Sequence, residues 1–356
     1  MHIKVRLFAA ACVAFPFLWT PAAAHCEESD ETVDQKCIVS IEKIWDRPDH
    51  SAFTDLALFG DYLYCTFREG SGHIPGLNGV ARVLRSRDRM NWESVAVLKE
   101  RHVDLRDPKL SITPDGRLMI NMGASYYRGP KRLKIESRVA FSDTTGTKFD
   151  APQKIEFPSE IVTGADWLWR VTWHDGYAWG CVQQVPKEGR ALVLVRSRDG
   201  IHYEAVSAPE VPGPSETTLR FLPDGTLVAM IRCESKPAIG RIGTTRPPYT
   251  DWTIVDSNKR FGGPNFIQLP GGSWLAGSRA YDDGLSTTQL WWLNPATGQC
   301  DTLLRFPSGG DNSYPGFAVD KARGLVYVSY YSSHQGKTAI YLATLRLDAL
   351  EELAKK

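Results

Sequence analysis

Net charge is nearly absent from this sequence: 42 Lys and Arg stand against 41 Asp and Glu in 356 residues, a formal +1. No basic field is available to hold a polyanion along its length, so nucleic acid is excluded as a natural partner. Paired metal-ligand cysteines are also missing. The seven cysteines, at 12, 26, 37, 65, 181, 233 and 300, form no CxxC pair and no cluster with histidine, which argues against a metal centre built on thiolates. After the first 24 residues no apolar run approaches the length of a membrane span, so stable insertion is not expected. Charge is mixed and 42% of residues are hydrophobic, which leaves no room for disorder, coiled coil or collagen.

The one extended apolar run lies at the start. Lys4 and Arg6 precede Leu7 to Trp19, and Ala22-Ala23-Ala24 stands before His25, the layout of a cleaved secretory signal. Residues 1–24 are therefore expected to be removed, with 25–356 forming one domain in the periplasm or outside the cell. Without Lys4 and Arg6 the balance is 40 basic to 41 acidic residues, a formal −1. Cys12 leaves with the signal. In an oxidising compartment Cys26 and Cys37 are the one pair suggested by proximity, whereas Cys65, Cys181 and Cys233 lie in apolar runs and read as buried thiols.

What the sequence has in quantity is glycine (30), proline (22) and tryptophan (11), and they are organised. A strand, a tight turn and a second apolar strand recur as LALFGDYLYCTFR, LSITPDGRLMINMG, VTWHDGYAWGCVQ, LRFLPDGTLVAMIR, FIQLPGGSWLAGSR and FAVDKARGLVYVSYY. Their turns, at Asp61, Gly116, Gly176, Gly225, Gly272 and Gly324, are spaced 47 to 60 residues apart. Asp-Gly and Gly-Gly between β-rich runs are strong hairpin signals. A third and usually a fourth strand follow each hairpin, as in VARVLRSRDRMNWESVAVL and ALVLVRSRDGIHYEAV. Four strands repeated six times predict an all-β, six-bladed β-propeller. IVSIEKIWDRP is a strand without its own hairpin, and it is expected to complete the last blade and remove an open edge. A short polar helical tail begins at Asp348. The competing architecture is a pair of β-sandwiches.

The repeat aligns chemistry. Seven residues beyond each turn stand Arg68, Gly123, Gln183, Arg232, Arg279 and Tyr331. These positions end the second strand at the face away from the turn, so the arginines should converge on one mouth of the propeller. The inner strands begin at the same mouth with Asp55, Asp107, Arg170, Glu216, Asn265 and Tyr314. Guanidinium groups match the geometry of a carboxylate and stay charged at any accessible pH, so the mouth is expected to bind an anion. The simpler alternative is an Arg–carboxylate bridge between blades.

These residues resemble the sialidase (neuraminidase) superfamily of six-bladed propellers over nearly the whole mature chain. Degenerate Asp-boxes stand at Ser86–Trp92 and Ser197–Tyr203, each one residue short, and Ser142–Phe149 keeps the length with Thr144 at the Asp position. PSETTLRFLPDGTLVAMIR looks like the stretch that supplies a Glu and an Arg, here Glu216 and Arg232. GSRAYDDG would supply Arg279, and SYPGFAVDKARGLVYVSYY begins with the tyrosine of the family nucleophile, here Tyr314. The resemblance implies an exo-glycoside hydrolase for a terminal acidic sugar, needing neither metal nor organic cofactor. Tyr314 would be its nucleophile, Glu216 the base of Tyr314, and Arg68, Arg232 and Arg279 the carboxylate clamp. A neutral tyrosine suits an anomeric carbon that bears its own carboxylate, because it avoids the repulsion an anionic nucleophile would meet.

Two family features are missing. The first inner strand, Ser51-Ala52-Phe53-Thr54-Asp55, has no arginine, and the loop EGSGHIPGLNG has no Asp to serve as acid/base. Asp107 is the first candidate for that role, then Asp55 and Glu69. Trp167 and Trp169 could stack on a sugar ring, Arg170 and Asn265 add polar contacts, and His50, His73 and His334 fall at strand ends on the same face. Alternatives are an enzyme for uronic acids or other acidic glycans, and a glycan-binding propeller without turnover. A monomer is expected.

Overall fold

The computed structural model describes residues 36–74, 79–184, 191–281 and 284–355. The expected signal and Cys26 lie outside them. Among the described residues six antiparallel sheets form the blades of a propeller, each with its first strand innermost. The first blade runs His50–Phe59, Tyr62–Gly70, Val80–Ser86 and Glu93–Leu98. The last blade is closed by the N-terminal strand: Ile38–Trp45 pairs antiparallel with Ala339–Arg346, Ile41 opposite Ala343. Closure satisfies the outer edge of that blade and ties the two ends of the ring together. The tail is the helix Leu347–Leu353, with Leu347 and Leu350 buried. No helix of the described residues is long and apolar enough to cross a membrane.

Alternation along the strands explains the core. Val83, Leu105, Ile120, Ala140 and their equivalents point between neighbouring sheets and are almost wholly buried, and each interface forms its own apolar cluster. Cys65, Cys181, Cys233 and Cys300 lie in these interfaces as buried thiols. The short Asp-boxes keep their turn function. Asp88 accepts the Met90 and Asn91 amides at 2.9 and 2.7 Å, and Asp199 accepts those of Ile201 and His202, both at 2.8 Å. In the third box, Asp143 takes this part by accepting the Thr147 amide at 2.9 Å, one residue before the family position.

The inner strands depart from ideal pairing at one level of the ring. Register shifts fall between Ala52 and Asp55, Arg106 and Lys109, Pro214 and Thr217, and Ser313 and Gly316. Inside three of these bulges a large residue takes positive φ: Phe53 at 65°, Asp107 at 50° and Tyr314 at 50°. Such conformations cost about 1–3 kcal/mol each and persist only where the surroundings enforce them. Each bulge turns a side chain that would lie against the neighbouring blade towards the axis.

Candidate active site

Three bulge-borne or bulge-adjacent side chains, Asp107, Glu216 and Tyr314, meet in a cavity of about 270 Å³ at the mouth of the ring. Arg106, Arg232, Arg279, His73, Trp167 and Gln183 complete much of its wall. The Tyr314 hydroxyl donates to Glu216 Oε1 at 2.7 Å. Arg232 Nη1 donates to Glu216 Oε2 at 2.7 Å and approaches the Tyr314 oxygen at 3.3 Å. The Gly263 amide donates to Glu216 Oε2 at 2.9 Å. Gly263 must be glycine: its φ is +66°, and a Cβ there would sit 2.6 Å from the Tyr314 ring. The tyrosine is wedged between that backbone and the rings of Phe53 and Trp169, whose centroids lie 5.1 and 5.5 Å away.

The electrostatics divide the acidic groups. Burial pushes the Glu216 carboxyl up, but Arg232 and the bonds from Arg232, Tyr314 and Gly263 outweigh it and leave Glu216 below its ordinary value. It is an anion able to accept the phenolic proton. Burial, then the neighbouring Glu216 charge, holds the Tyr314 phenol well above its ordinary value, so the resting tyrosine is neutral. Burial also raises Asp107, and Arg106 opposes this only in part. Asp107 Oδ2 has no hydrogen-bond partner although it is buried, and its closest cation is Arg106 Nε at 3.6 Å. A carboxyl in this state is suited to hold a proton and release it into the cavity.

Arg279 is fixed by the Asn312 carbonyl, 3.0 Å from Nε, and by the Tyr331 hydroxyl, 2.7 Å from Nη2. Arg106 is anchored by the His73 carbonyl at 3.1 Å and the Tyr127 hydroxyl at 3.3 Å. Four arginines therefore line the cavity, Arg106, Arg132, Arg232 and Arg279, and of the expected three Arg68 is not among them. Arg68 is fully buried behind the wall, with Nε 2.7 Å from Asp104 Oδ1 and Nη1 on the Gly72 carbonyl. Its guanidinium fills the space left by Gly70 and Gly79, where any Cβ would collide with it. Arg106 takes the cavity position instead. Breaking a fully buried ion pair costs about 3–5 kcal/mol. Arg68→Ala is accordingly expected to lower the melting temperature without changing the affinity of the cavity for an anion, as calorimetry on the folded variant would read.

Other expected residues lie below the cavity floor. Asp55 Oδ2 accepts the Leu110 amide at 2.8 Å and pairs with Arg170 Nη1 at 2.5 Å. Its bulge turns Phe53 towards the mouth and Asp55 down the axis, so Asp55 and Arg170 neutralise each other there. Asn265 ties blades together, donating to the Pro315 carbonyl at 2.9 Å and accepting from Arg220 at 2.9 Å. Trp169 is buried beneath Tyr314, whereas Trp167 lines the cavity, and neither indole Nε1 has a hydrogen-bond partner. Glu69 faces away, accepting from Trp45 Nε1 at 2.6 Å and ion-paired with Arg82 at 2.7 Å.

Asp311 is clasped between two histidines, with His50 Nε2 at 2.8 Å and His73 Nδ1 at 3.1 Å. Among the described residues this is one group that could hold a metal ion. However, His50 Nδ1 is buried without a partner. Metal on Nε2 would force the proton onto Nδ1, where no acceptor exists, so the group fits a hydrogen-bonded clasp better than a metal centre. His73 lines the cavity and His50 stands behind it. His334 lies elsewhere, bonded to Ser332 and packed on Tyr341.

No protein-family profile matches the sequence, and no curated protein matches it. Solved structures share the fold. A Dyadobacter fermentans protein of unknown function superposes with a TM-score of 0.76 at 17% identity, covering 87% of this chain and 98% of that one. A Trypanosoma rangeli sialidase, bound to the inhibitor DANA, gives 0.70 at 12% identity over 89% of this chain and 59% of its own. A Fusarium graminearum α-L-arabinofuranosidase gives 0.64 at 13% identity, over 88% and 99%. The chain thus has a propeller fold used by glycoside hydrolases, and spans about three-fifths of the trypanosomal sialidase's length.

Proposed function

We propose that this chain is an exported exo-glycosidase that removes a terminal acidic sugar of the sialic acid class from glycans, working in the periplasm or outside the cell. The observation that carries the reading is the 2.7 Å hydrogen bond from Tyr314 to an ionised Glu216, inside a cavity walled by arginines. Arg106, Arg232 and Arg279 would hold the sugar carboxylate, with Trp167 against an apolar face of the ring.

Each step balances. Glu216 takes the phenolic proton as the Tyr314 oxygen bonds to the anomeric carbon, and the glycosidic bond breaks as Asp107 protonates the leaving oxygen. In the second half Asp107 removes a proton from water, which attacks the same carbon. The Tyr314–carbon bond breaks, and Glu216 returns the proton to the phenol. The anomeric configuration is retained through two inversions. A fluorogenic α-sialoside tests the reading: turnover is expected. Binding without turnover would favour a lectin, and turnover of a uronide alone would transfer the site to another acidic sugar. The lack of an arginine in the first inner strand, Ser51–Asp55, is the feature that favours this second substrate.

The protonation states fix a pH profile. Glu216 must be ionised and is held low, so activity falls only as pH drops through that depressed value. Asp107 must be protonated and is held high, so activity persists above the ordinary Asp range and falls as pH rises through the elevated value. A bell-shaped kcat/KM is expected, and Asp107→Asn should remove its alkaline limb while lowering the rate by roughly 10²–10⁴-fold. An unchanged limb in that variant would assign the acid elsewhere.

A further inference from the structure

The hairpin joining the second and third strands of the second blade, Leu118–Arg128 with Lys131–Phe141, is built from strands of 11 residues each. It rises beside the cavity, and Arg132 on its returning strand forms part of the cavity wall. Its tip reads Arg128-Gly129-Pro130-Lys131-Arg132-Leu133-Lys134, four cations in seven residues with no acid, all exposed. Lys134 is held by Glu136 at 2.6 Å. Arg128, Lys131 and Arg132 make no ion pair among the described residues. Other surface arginines are paired, as in Arg87–Asp61 at 2.7 Å and Arg346–Asp348 at 2.7 Å, and Arg47 and Arg198, which make no ion pair among the described residues, lie over aromatic rings. Unpaired cations therefore gather at the rim of the cavity that holds Tyr314 and Glu216 and is itself lined by arginines.

We infer that this tip is a second anion subsite, where a carboxylate or sulfate in the leaving part of the glycan docks while the terminal acidic sugar fills the cavity. The inference rests on the proposed function for what occupies the cavity, and on the hairpin alone for the second charge. A single acidic sugar uses the cavity arginines. A glycan with a further anion also meets Arg128 and Lys131, which lie beyond the wall and take no part in the chemistry. The attraction is solvent-exposed and so depends on salt.

The test compares the natural chain with Arg128→Glu/Lys131→Glu, using thio-linked glycans that no hydrolase cleaves, in calorimetry at low and high salt. The ligands carry one carboxylate, two carboxylates, or one carboxylate and one sulfate. Both substitutions are on an exposed turn and should leave the fold intact. The second anion is expected to tighten binding by roughly tenfold at low salt, with the gain lost in high salt and in the variant. Affinity for the single-carboxylate ligand should not change. Equal gains for carboxylate and sulfate would mean that charge alone is read; a gain for one of them identifies the source. A gain that persists in the variant, or no gain, overturns the subsite. If the single-carboxylate ligand fails to bind while the doubly charged ones bind through the hairpin, the cavity reading falls and the subsite stands. Binding of the natural chain to anionic vesicles, with no glycan gain, would reassign the tip to a membrane surface.

Discussion

Tyr314→Phe is expected to reduce turnover by at least about 10³-fold, because no other group in the cavity can both accept a bond from the anomeric carbon and hand its proton to Glu216. The fold should tolerate the change. Glu216 Oε2 keeps Arg232 at 2.7 Å and the Gly263 amide at 2.9 Å, so the variant loses a hydrogen bond worth about 1 kcal/mol. The aromatic ring keeps its packing on Phe53 and Trp169. Steady-state kinetics and thermal melting on the same preparation separate the two effects. A variant that loses activity with a near-unchanged melting temperature and intact affinity for an acidic-sugar inhibitor supports the nucleophile. Retained activity would remove Tyr314 from that role.

Arg232→Ala is expected to damage stability and rate together, because it strips a cation from two carboxylates, Glu216 and Glu234. Arg232 bonds to Glu216 at 2.7 Å through Nη1 and to Glu234 at 2.5 Å through Nη2. Leaving a buried charge unpaired costs about 3–5 kcal/mol, so the melting temperature should fall as well as the rate. The sign of the pH effect follows from the same pair. Burial raises Glu216 and Arg232 is the first influence that lowers it; without the guanidinium the carboxyl titrates higher and the acid limb moves to higher pH. A loss in kcat/KM of at least about 100-fold is expected. Arg232→Lys should recover the position of the limb better than the rate, since an ammonium restores charge without the two-pronged geometry. A rate loss with an unmoved acid limb would mean that Arg232 serves the substrate and not Glu216.

Much of this arrangement could be read from the chain because it is carried by local signals. Asp-Gly turns and period-two apolar runs marked the blades, and the lone strand IVSIEKIWDRP marked the closure against Ala339–Arg346. Glu216, Arg232, Arg279 and Tyr314 were placed at one mouth by strand register, and they do share the cavity. Register sets which face a residue occupies, but not how deep it lies. Arg68 and Arg279 hold equivalent positions, yet two glycines and Asp104 draw Arg68 into the interior. The bulges were also hidden. Phe53, Asp107 and Tyr314 adopt positive φ without a glycine to announce it. No local signal therefore places Arg106, adjacent to Asp107, in the cavity or takes Asp55 out of it. The histidine clasp on Asp311 joins residues 261 and 238 positions apart, a separation at which no local pattern speaks.

The most direct measurement is chemical trapping with a 2,3-difluorinated sialic acid. Fluorine at the third carbon slows the second half of the reaction and fluoride leaves readily in the first, so a retaining enzyme accumulates its covalent intermediate. Intact-mass and peptide analysis should find one added fluorosugar, on the peptide containing Tyr314 and absent from Tyr314→Phe. An adduct on Glu216 or Asp107, or steady turnover of sialosides with no adduct at all, would contradict a phenolic nucleophile in this cavity.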